Sequence, residues 1–509
     1  MTDAILTIDQ GTTSTKCALV DAHGAIVARG AARVASRFPR PGWVEQDADD
    51  IWRSVLDAVA RCLSAAPVEA RPIAVAISNQ RESAVVWRRA DGAPAGPVIG
   101  WQDNRTAPAC DGLRAAGAET LVRDRTGLAL DPMFSATKLH WLLERAPGGL
   151  PAARRGELCA GTIDAWLTWK LSGGAVFACE AGNASRTLLL DLQRVEWAPE
   201  LLELFGVPGA ALPEVRRSDG GFGRTVASGP LGAGLPIAAV LADSHAALYG
   251  HGCFRPGGGK ATYGTGTSVM TPLDAIGEPP AGVSQTLAWL TDRPTWALEG
   301  NIIASGAALD WMSEILGVDG AAGLQALAGQ VDSSDGVHLV PAFAGLGAPY
   351  WDRDAVGLIS GVTRGNRPPH LARAALEAVA FQVADVLDAM DAATPKPLQV
   401  LYADGGASAA TVLMQLQADL SGRPVLASET AEMSALGAAH LAGTATGLWA
   451  GEAALAALPR PSRTFRPALA AAEREAQRAA WHRAVARSRA RADHSAPLAL
   501  AGEESGGFA

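Results

Sequence analysis

A glycine- and threonine-rich turn between two β-strands occurs twice in this 509-residue chain, once at the start of each half. The first, Asp9-Gln-Gly-Thr-Thr-Ser-Thr-Lys16, separates the apolar runs 4–9 and 17–20. The second, Tyr263-Gly-Thr-Gly-Thr-Ser268, opens the second half in the same way. Strands and helices alternate after each turn, which is typical of an α/β fold. The repeat therefore predicts two related α/β domains that face each other, with a boundary near residues 245–256.

Hydrophobic periodicity predicts the elements around these turns. In the first half we expect strands at 4–9, 17–20, 25–29 and 72–78 and a helix at 48–65. In the second half we expect a long helix at 373–392, with its apolar face at 376, 379, 380, 383, 387 and 390, then a strand at 398–402. A last helix at 469–492 should turn Trp481 and Val485 inward. The predicted domains are 1–246 and 247–492, followed by a mobile tail at 493–509.

Composition excludes several classes of protein. The net charge is −9, which argues against a nucleic-acid binder because such proteins usually carry a basic face. With 48% hydrophobic residues the chain can bury a large core, so global disorder is excluded. The N-terminus lacks a basic leader segment, and no apolar run reaches the roughly 20 residues needed to span a bilayer. Six scattered cysteines without CxxC spacing indicate reduced thiols, so we expect a cytoplasmic protein without a membrane partner.

The first turn carries groups that suit a phosphate. Gly11 lets a ligand approach the backbone, Thr12, Thr13 and Ser14 offer hydroxyls, and consecutive turn amides can form an anion nest. Asp9 ends the first strand, where a carboxylate can hold Mg²⁺. One such hairpin is more often only a hairpin. Two of them, one in each half, favour a phosphate held from both sides.

Charged residues at the ends of predicted strands are the candidates for chemistry. Arg81 and Glu82 follow the strand at 72–78, and they either form a structural ion pair or read two neighbouring hydroxyl groups. Asp243 follows the apolar run 236–242 and is a candidate general base. His245 is better explained as a supporting residue, because no other histidine spacing suggests a metal site. Gly406, after the strand at 398–402, offers backbone against which a ribose or adenine can lie.

Ordered segments along the chain resemble the FGGY family of carbohydrate kinases, and within it the glycerol kinases. The likeness runs from residue 4 to about residue 450. The segments are Asp9–Lys16, Gly42–Glu45, Ser78–Glu82, Trp101–Thr106, Met133–Trp141, Thr162–Trp166, Asn183–Thr187, Pro341–Trp351 and Gly357–Glu377. The resemblance implies two ribonuclease-H-like domains of the actin/hexokinase type, with ATP and substrate in the cleft between them. It also implies ATP and Mg²⁺ as cofactors and a homo-oligomer, a dimer or tetramer.

The resemblance assigns roles residue by residue. The polyol would be bound by Arg81, Glu82, Trp101, Met133, Asp243 and Ser244, with Asp243 as the catalytic base. The nucleotide would be bound by Gly11, Thr12, Thr13, Ser14, Lys16, Thr265, Gly306, Asp310, Gly406 and Ala410. The metal would be held by Asp9 and Asp243.

Several positions depart from the glycerol-kinase pattern. Met133 replaces a tyrosine, Ser244 a glutamine and Ser268 an aromatic residue in the substrate pocket, which predicts more room and more hydroxyl partners. We therefore expect as the substrate either glycerol or, equally, a polyol or ketose of about four or five carbons, because a site built for one hydroxyl pattern rejects others. Ala410 replaces an asparagine on the adenine side. The loop 232–235 lacks the arginine that clamps fructose 1,6-bisphosphate, so we expect no inhibition by that sugar.

The sequence therefore predicts ATP-dependent phosphorylation of a terminal hydroxyl by in-line transfer. Two alternatives remain at this point. One is a phosphohydrolase on the same actin-type fold, which would not need Arg81 and Glu82 to read hydroxyls. The other is a non-catalytic sugar or nucleotide sensor, which the three pocket changes motivate, although Asp9, Thr265 and Asp243 are all present.

Overall fold

A computed structural model describes residues 1–278 and 280–490. The predicted mobile tail at 493–509 and the last residues of the predicted final helix lie outside the described residues. Within them, no helix is both long and apolar enough to cross a membrane.

The first half contains thirteen strands and nine helices. The strands are β1 (Thr2–Gln10), β2 (Ser14–Asp21), β3 (Ile26–Arg33), β4 (Glu45–Gln46), β5 (Ala70–Asn79), β6 (Val85–Arg88), β7 (Val98–Ile99), β8 (Leu158–Gly161), β9 (Ala178–Glu180), β10 (Leu190–Asp191), β11 (Glu196–Trp197), β12 (Glu214–Arg216) and β13 (Ile237–Ala242). The helices are α1 (Ala48–Ser64), α2 (Ala107–Ala115), α3 (Glu119–Thr126), α4 (Ser135–Arg145), α5 (Gly149–Arg154), α6 (Ile163–Leu171), α7 (Ala181–Ser185), α8 (Pro199–Phe205) and α9 (Asp243–Gly250).

The second half contains nine strands and seven helices among the described residues. The strands are β14 (Gly258–Tyr263), β15 (Thr267–Leu273), β16 (Ser284–Leu290), β17 (Pro294–Ile302), β18 (His338–Val340), β19 (Leu358–Ser360), β20 (Val400–Asp404), β21 (Val425–Ser428) and β22 (Ser462–Phe465). The helices are α10 (Gly306–Leu316), α11 (Gly320–Ala328), α12 (Pro368–Ala392), α13 (Thr411–Ser421), α14 (Met433–Ala445), α15 (Glu452–Ala456) and α16 (Ala471–Arg489).

The two main sheets share one strand order and one set of strand directions. In the first, β1, β2 and β3 form an antiparallel meander, and β5 and β13 add to β1 in parallel, giving the order β13-β5-β1-β2-β3. In the second, β14, β15 and β17 form the meander and β20 and β21 add in parallel, with β16 and β22 at the edges. This repeated topology confirms the α/β fold and the duplication that the two turns predict.

The helices begin and end where local chemistry favours it. Asp47 caps α1, because its carboxylate accepts the amides of Asp49 and Asp50, and the buried face repeats at helical spacing. All six predicted apolar positions of α12 are buried. The predicted start of α12 at 373 is wrong by five residues, because Pro368 occupies the first helical position, where a missing N–H costs nothing. Helix α16 starts two residues later than predicted, and its Trp481 and Val485 are buried as expected.

The halves are joined by a close crossing of α9 and α14. Gly437 lies so near α9 that an added Cβ would overlap the carbonyl oxygen of Ala246, and a Cβ at Gly250 would lie 2.7 Å from the carbonyl oxygen of Met433. Helix α14 also packs on β1, β5 and β13 of the first sheet. A helix of the second half therefore covers the first sheet, and the boundary between residues 246 and 247 stays a prediction.

Candidate active site

The first glycine- and threonine-rich turn connects β1 to β2. The Gly11 amide donates to the carbonyl oxygen of Ser14 at 3.0 Å, which closes the turn. Asp9 pairs with Lys16 across the two strands, and the Ser78 hydroxyl on β5 donates to the Asp9 carboxylate at 2.9 Å. Thr13 and Lys16 are exposed, Gln10 and Thr15 are buried, and the rest of the turn is half-buried. The turn thus presents hydroxyls and one ammonium group beside a carboxylate.

The second turn connects β14 to β15 and is supported by the start of α10. Thr265 is exposed at its tip, and the Gly264 amide donates to the carbonyl oxygen of Gly266 at 2.9 Å. The Gly306 amide donates to the Gly264 carbonyl oxygen at 3.0 Å, and a Cβ on Gly306 would lie 2.5 Å from that oxygen. Gly306 therefore permits the helix to touch the turn. Asp310 is exposed on the same helix.

A third glycine turn follows β20 and touches the second. Gly405 has a left-handed backbone (φ +91°), and an added Cβ would lie 2.5 Å from the carbonyl oxygen of Tyr263. Gly406 is exposed, with no atom within 4 Å of an added Cβ, and Ala410 is half-buried at the start of α13. The structure therefore brings the predicted Thr265 and Gly406 regions together through backbone contact.

Buried charges form an ion-pair cluster that joins the two halves. Arg81 reaches Asp243 (Nε to Oδ1, 3.2 Å) and Glu299 (Nη1 to Oε1, 2.5 Å). Arg186 reaches Glu82 (Nε to Oε1, 2.8 Å) and the other oxygen of Glu299 (Nη1, 2.8 Å). Arg81 Nε lies 4.0 Å from Glu82 Oε1, which is longer than the ion pairs that either side chain makes with other residues. Each therefore pairs chiefly with another residue rather than with its neighbour.

Asp243 differs from the other members of this cluster in its exposure. Its side chain is 38% exposed, whereas those of Arg81, Glu82, Arg186 and Glu299 are at most 8% exposed. Its carboxylate accepts the Ser244 amide at 2.7 Å at the start of α9. Partial burial raises the pKa of Asp243, while the Arg81 charge opposes that rise. The cluster therefore presents one accessible carboxylate that is more basic than a surface aspartate.

The charges of the cluster titrate differently according to their partners. Burial would raise the pKa of Glu299, but the Arg186 and Arg81 charges outweigh it and hold that pKa well below its usual range. Burial lowers the pKa of Lys260, on β14, to about 8. Glu299 is therefore a fixed anion that holds the two guanidinium groups in place.

Arg186, Glu299 and Lys260 lie in or beside the cluster, although no sequence motif assigns them a role. Arg186 lies in the segment 183–187 that carries the resemblance, but it was not assigned to the site. Glu299 and Lys260 stand inside strands β17 and β14. An acidic residue or a lysine in the middle of an apolar strand indicates a buried ion pair or polar network, because charges are rarely buried without a partner.

Arg81, Glu82 and Asp243 belong to the cluster, whereas two other predicted substrate residues, Trp101 and Met133, line a large cavity to which none of those three contributes. The Trp101 indole donates to the Thr12 hydroxyl at 3.0 Å, which ties the substrate side to the first turn. Trp101 and Met133 line a cavity of about 1040 Å³ whose opposite wall includes Asn301 and Tyr350, from the second half. Ser244 is nearly buried, 8% exposed. The cavity is thus shared between the halves.

Ser268 and His245 lie within the polar network. The Ser268 hydroxyl donates to Glu299 at 3.1 Å and lies 3.4 Å from the Lys260 ammonium. Neither ring nitrogen of the buried His245 has a hydrogen-bond partner among the described residues. Burial and then the Arg81 charge lower the pKa of His245 well below its usual value, so the ring is neutral. The positions of both residues suit a supporting role.

Two family models match the chain in sequence order. The N-terminal domain of the FGGY family of carbohydrate kinases matches residues 4–250, and the C-terminal domain of the same family matches residues 259–446.

Individual relatives match over nearly the whole chain. A glycerol kinase from Aromatoleum aromaticum is 46% identical, covering 95% of this chain and 98% of that protein. An apulose kinase from Pectobacterium atrosepticum is 44% identical over 96% and 99%. The crystal structure of a Plasmodium falciparum glycerol kinase with ADP superposes with a TM-score of 0.89 at 28% identity, covering 96% and 99%. With its two matching domain models and its interdomain cluster of charges, the chain belongs to the FGGY family of carbohydrate kinases.

Proposed function

We propose that this carbohydrate kinase transfers the γ-phosphoryl group of ATP to a terminal hydroxyl of a polyol or ketose, with Asp243 as general base. The observation that carries the proposal is the exposure of Asp243 beside buried, ion-paired neighbours. A base must reach the substrate proton, and its pKa must lie near the working pH. Its raised pKa supports that role. The substrate oxygen then attacks the γ-phosphorus in line as its proton passes to Asp243.

Arg81 orients the base in this proposal. Its guanidinium is shared between Asp243 and Glu299, so the Asp243 carboxylate has a fixed position before substrate arrives. The remaining donors of Arg81, with Glu82, suit neighbouring substrate hydroxyls. Trp101 supplies an apolar wall and Met133 a flexible one.

The two glycine- and threonine-rich turns are proposed to hold the nucleotide phosphates. In the first turn, Gly11, Thr12, Thr13, Ser14 and Lys16 offer backbone amides, hydroxyls and one positive charge. In the second, Thr265 is exposed, and the adjoining Gly406 leaves open space for a nucleoside. Preorganised donors of this kind stabilise the charge that develops on the transferred group. Gly306, Asp310 and Ala410 lie farther along the same surface as proposed nucleotide residues.

Mg²⁺ is the proposed metal, and the donors present suit it. Burial raises the pKa of Asp9 to about 6, and the negative charges of Asp243 and Glu432 add to the rise, although Ser78 and Lys16 oppose it. The negative charges of neighbouring carboxylates repel each other, and a cation bound between them would relieve that repulsion. No group of three or more metal-binding side chains occurs among the residues the structure describes, which suits Mg²⁺ held by one or two carboxylates and the phosphates. Bound there, Mg²⁺ would neutralise phosphate charge.

The proposed acceptor is a polyol or ketose of four or five carbons, rather than glycerol alone. The cavity beside Trp101 and Met133 has room beyond a three-carbon substrate, and the Asn301 and Gln102 amides that line it can bind extra hydroxyls. The apulose kinase is nearly as similar to this chain as the glycerol kinases. Apulose therefore joins xylulose and the pentitols as a candidate acceptor.

The buried cysteines and the exposed apolar side chains bear on the proposed compartment and assembly. All six cysteines are buried and free, which supports the cytoplasm as the compartment. Exposed apolar side chains at Phe343, Val356, Ile359 and Val362 support a dimer or tetramer. Light scattering coupled to size-exclusion chromatography would test it, and a monomer at micromolar concentration would contradict it.

Lack of inhibition by fructose 1,6-bisphosphate also stays a prediction. The loop 232–235 carries no arginine, but Arg224, from outside that loop, donates to the Gly234 carbonyl oxygen at 2.6 Å. Since this guanidinium is already held by the loop backbone, we expect no inhibition by the bisphosphate. Activity measured with and without the bisphosphate tests it.

The proposal is tested by coupling ADP release to NADH oxidation with Mg·ATP and a panel of acceptors. The panel holds glycerol, dihydroxyacetone, erythritol, threitol, xylitol, arabinitol, xylulose, ribulose, apulose and gluconate. Turnover that depends on an acceptor, and that mass spectrometry assigns to a phosphorylated product, supports a kinase. Rapid ATP hydrolysis without acceptor would favour a phosphohydrolase. Nucleotide binding without product across the panel would favour a sensor.

A further inference from the structure

Lys260 is a fully buried lysine in β14, the strand that leads into the second glycine- and threonine-rich turn. Its Nζ donates to the Thr262 hydroxyl at 3.0 Å and to the Ser268 carbonyl oxygen at 3.2 Å, and it lies 3.4 Å from the Ser268 hydroxyl. Thr262 and Ser268 face each other across the hairpin. Because burying an ammonium group costs free energy, such a lysine has to be held by polar neighbours. Lys260 thus contacts one hydroxyl on each strand of the hairpin.

The Thr262 contact leads toward the proposed nucleotide region. Thr262 lies opposite Asp404 in the parallel ladder of β14 and β20, and its hydroxyl is hydrogen-bonded to the Asp404 carboxylate. That carboxylate is also bonded to His251 Nε2 at 2.7 Å. Asp404 ends β20 and is followed directly by Gly405 and Gly406. We call Thr262 and Asp404 the nucleotide arm.

The Ser268 contact leads toward the proposed base. The Ser268 hydroxyl donates to Glu299 Oε1 at 3.1 Å, and the same oxygen accepts Arg81 Nη1 at 2.5 Å. Arg81 in turn reaches Asp243 (Nε to Oδ1, 3.2 Å). We call Ser268, Glu299 and Arg81 the base arm. This arm starts in the second half and ends in the first.

Charges from both arms act on the Lys260 ammonium. Burial lowers the pKa of Lys260 to about 8, the carboxylates of Asp404, Glu299 and Asp243 oppose that fall, and the Arg81 charge adds to it. Each of the three carboxylates is paired directly with another side chain. Lys260 therefore lies between the arms and is not the partner of a single carboxylate.

We propose that Lys260 is a positioning residue for phosphoryl transfer, which holds the nucleotide turns and the Asp243 carboxylate in one fixed geometry through its two arms. In-line transfer needs the base, the acceptor oxygen and the γ-phosphorus in register, and a misplacement of about 1 Å can cost about 10²-fold in rate. The inference rests on the proposed function, because it takes Asp243 as the base and the Gly405–Gly406 turn as part of the nucleotide site.

Three substitutions interrupt this network at different points. Ser268→Ala removes the hydroxyl of the base arm, and Thr262→Val removes that of the nucleotide arm. Lys260→Met removes the ammonium and keeps an unbranched side chain. The matched control is Thr271→Val: Thr271 is buried on β15, as part of the same hairpin, but its hydroxyl donates to the Gly258 carbonyl oxygen at 3.1 Å, outside both arms.

Steady-state kinetics with Mg·ATP and the best acceptor of the panel measure the effects, with the active fraction of each variant set by ADP calorimetry. We expect kcat to fall about tenfold in Ser268→Ala, with the KM for ATP within about twofold of native. In Thr262→Val the KM for ATP should rise about fivefold, with kcat within about twofold of native. Lys260→Met should show both effects.

A conservative variant and the control distinguish positioning from a merely structural role. Ser268→Thr keeps a hydroxyl at the base arm and should retain native kcat. Thr271→Val should keep native kcat and KM, although it loses a buried hydrogen bond. If Lys260→Met does not fold, Ser268→Ala and Thr262→Val decide the outcome.

Two results would overturn the inference while leaving the proposed function in place. One is native kcat and KM in both Ser268→Ala and Thr262→Val, measured beside an inactive Asp243→Asn. The other is the same loss of activity in Thr271→Val as in Ser268→Ala. Near-native turnover of Asp243→Asn would instead overturn the proposed function, and the inference with it.

Discussion

Asp243 and Glu299 show how two carboxylates on one arginine can have different roles. Both contact Arg81, but Glu299 is fully buried between two guanidinium groups and Asp243 is partly exposed. Since two arginines hold Glu299 ionised, it cannot accept a proton near neutral pH. Of these two carboxylates, only Asp243 combines access with a raised pKa.

Replacing Asp243 with Asn should lower kcat by about 10²- to 10⁴-fold, because the amide cannot accept the substrate proton. Affinity for ADP, measured by calorimetry, should change little. Asp292→Asn is the control, since that side chain is 96% exposed and pairs only with Arg217 among described residues. Near-native turnover of Asp243→Asn would remove Asp243 from its role.

Replacing Glu299 with Gln should destabilise the protein by about 3 kcal/mol, because Arg81 and Arg186 would lose the charge that compensates them. Urea unfolding measures the effect. Glu144→Gln, at an exposed ion pair, should cost less than about 0.5 kcal/mol. Because the folded-state pKa of Glu299 is depressed, its contribution is present above about pH 4.5 and is lost on acidification. The difference in the free energy of unfolding between the native protein and Glu299→Gln should therefore become smaller below that pH. A difference that does not change with pH would contradict this account.

Replacing Met133 with Tyr should shift specificity toward glycerol. The larger ring would fill part of the cavity beside Trp101 and supply a hydroxyl, so kcat/KM for glycerol relative to a pentitol or ketopentose should rise about tenfold. The KM for ATP should stay unchanged, which serves as the internal control. An unchanged ratio would show that Met133 does not set specificity.

At the scale of residues, local sequence revealed only the members of the cluster that follow strand ends or motifs. Arg81, Glu82 and Asp243 stood out for that reason. Glu299 did not, because its partners Arg81 and Arg186 lie 218 and 113 positions away in the sequence, and no local pattern reports such a pairing. Ser268 was predicted to enlarge the pocket, but its hydroxyl contacts Glu299 and Lys260.

At the scale of elements, the crossing of α9 and α14 is the most constrained contact between the halves. Gly437→Ala would force a Cβ onto the Ala246 carbonyl oxygen, so the helices must separate. We expect at least about 2 kcal/mol of destabilisation and lower kcat, because α9 begins at Asp243. Thermal unfolding and the kinase assay measure both effects. Gly112→Ala, in α2 with open space around it, should be neutral or slightly stabilising; a similar loss there would refute the argument.

The sequence predicted best those elements whose turn residues and hydrophobic periodicity both lie within the element itself. The two hairpins carry turn residues between apolar runs, and the buried face of α12 carries a sustained helical period. The start of α12 was misplaced because apolar periodicity begins only after its first turn, which contains two prolines. Packing of α14 on the first sheet was not predicted, since helices buried on all sides carry no directional pattern.

At the scale of the whole molecule, the proposed active site combines residues from both halves. Arg81, Arg186 and Asp243 come from the first half, and Glu299 and Lys260 come from the second. Separating the halves would expose these charges to water and break their ion pairs, so substrate binding and closure of the cleft should be coupled. Such closure would also exclude water and limit wasteful hydrolysis of ATP.

The most direct test of this account is the comparison of kcat/KM across the acceptor panel, with the rate of ADP release without acceptor as baseline. We predict a low baseline and the highest kcat/KM for a polyol or ketose of four or five carbons, with phosphate on a terminal oxygen. A wide margin in favour of glycerol would contradict the proposed role of Met133, Ser244 and Ser268 and leave a glycerol kinase. Release of ADP at the same rate with and without every acceptor would contradict the assignment of kinase activity.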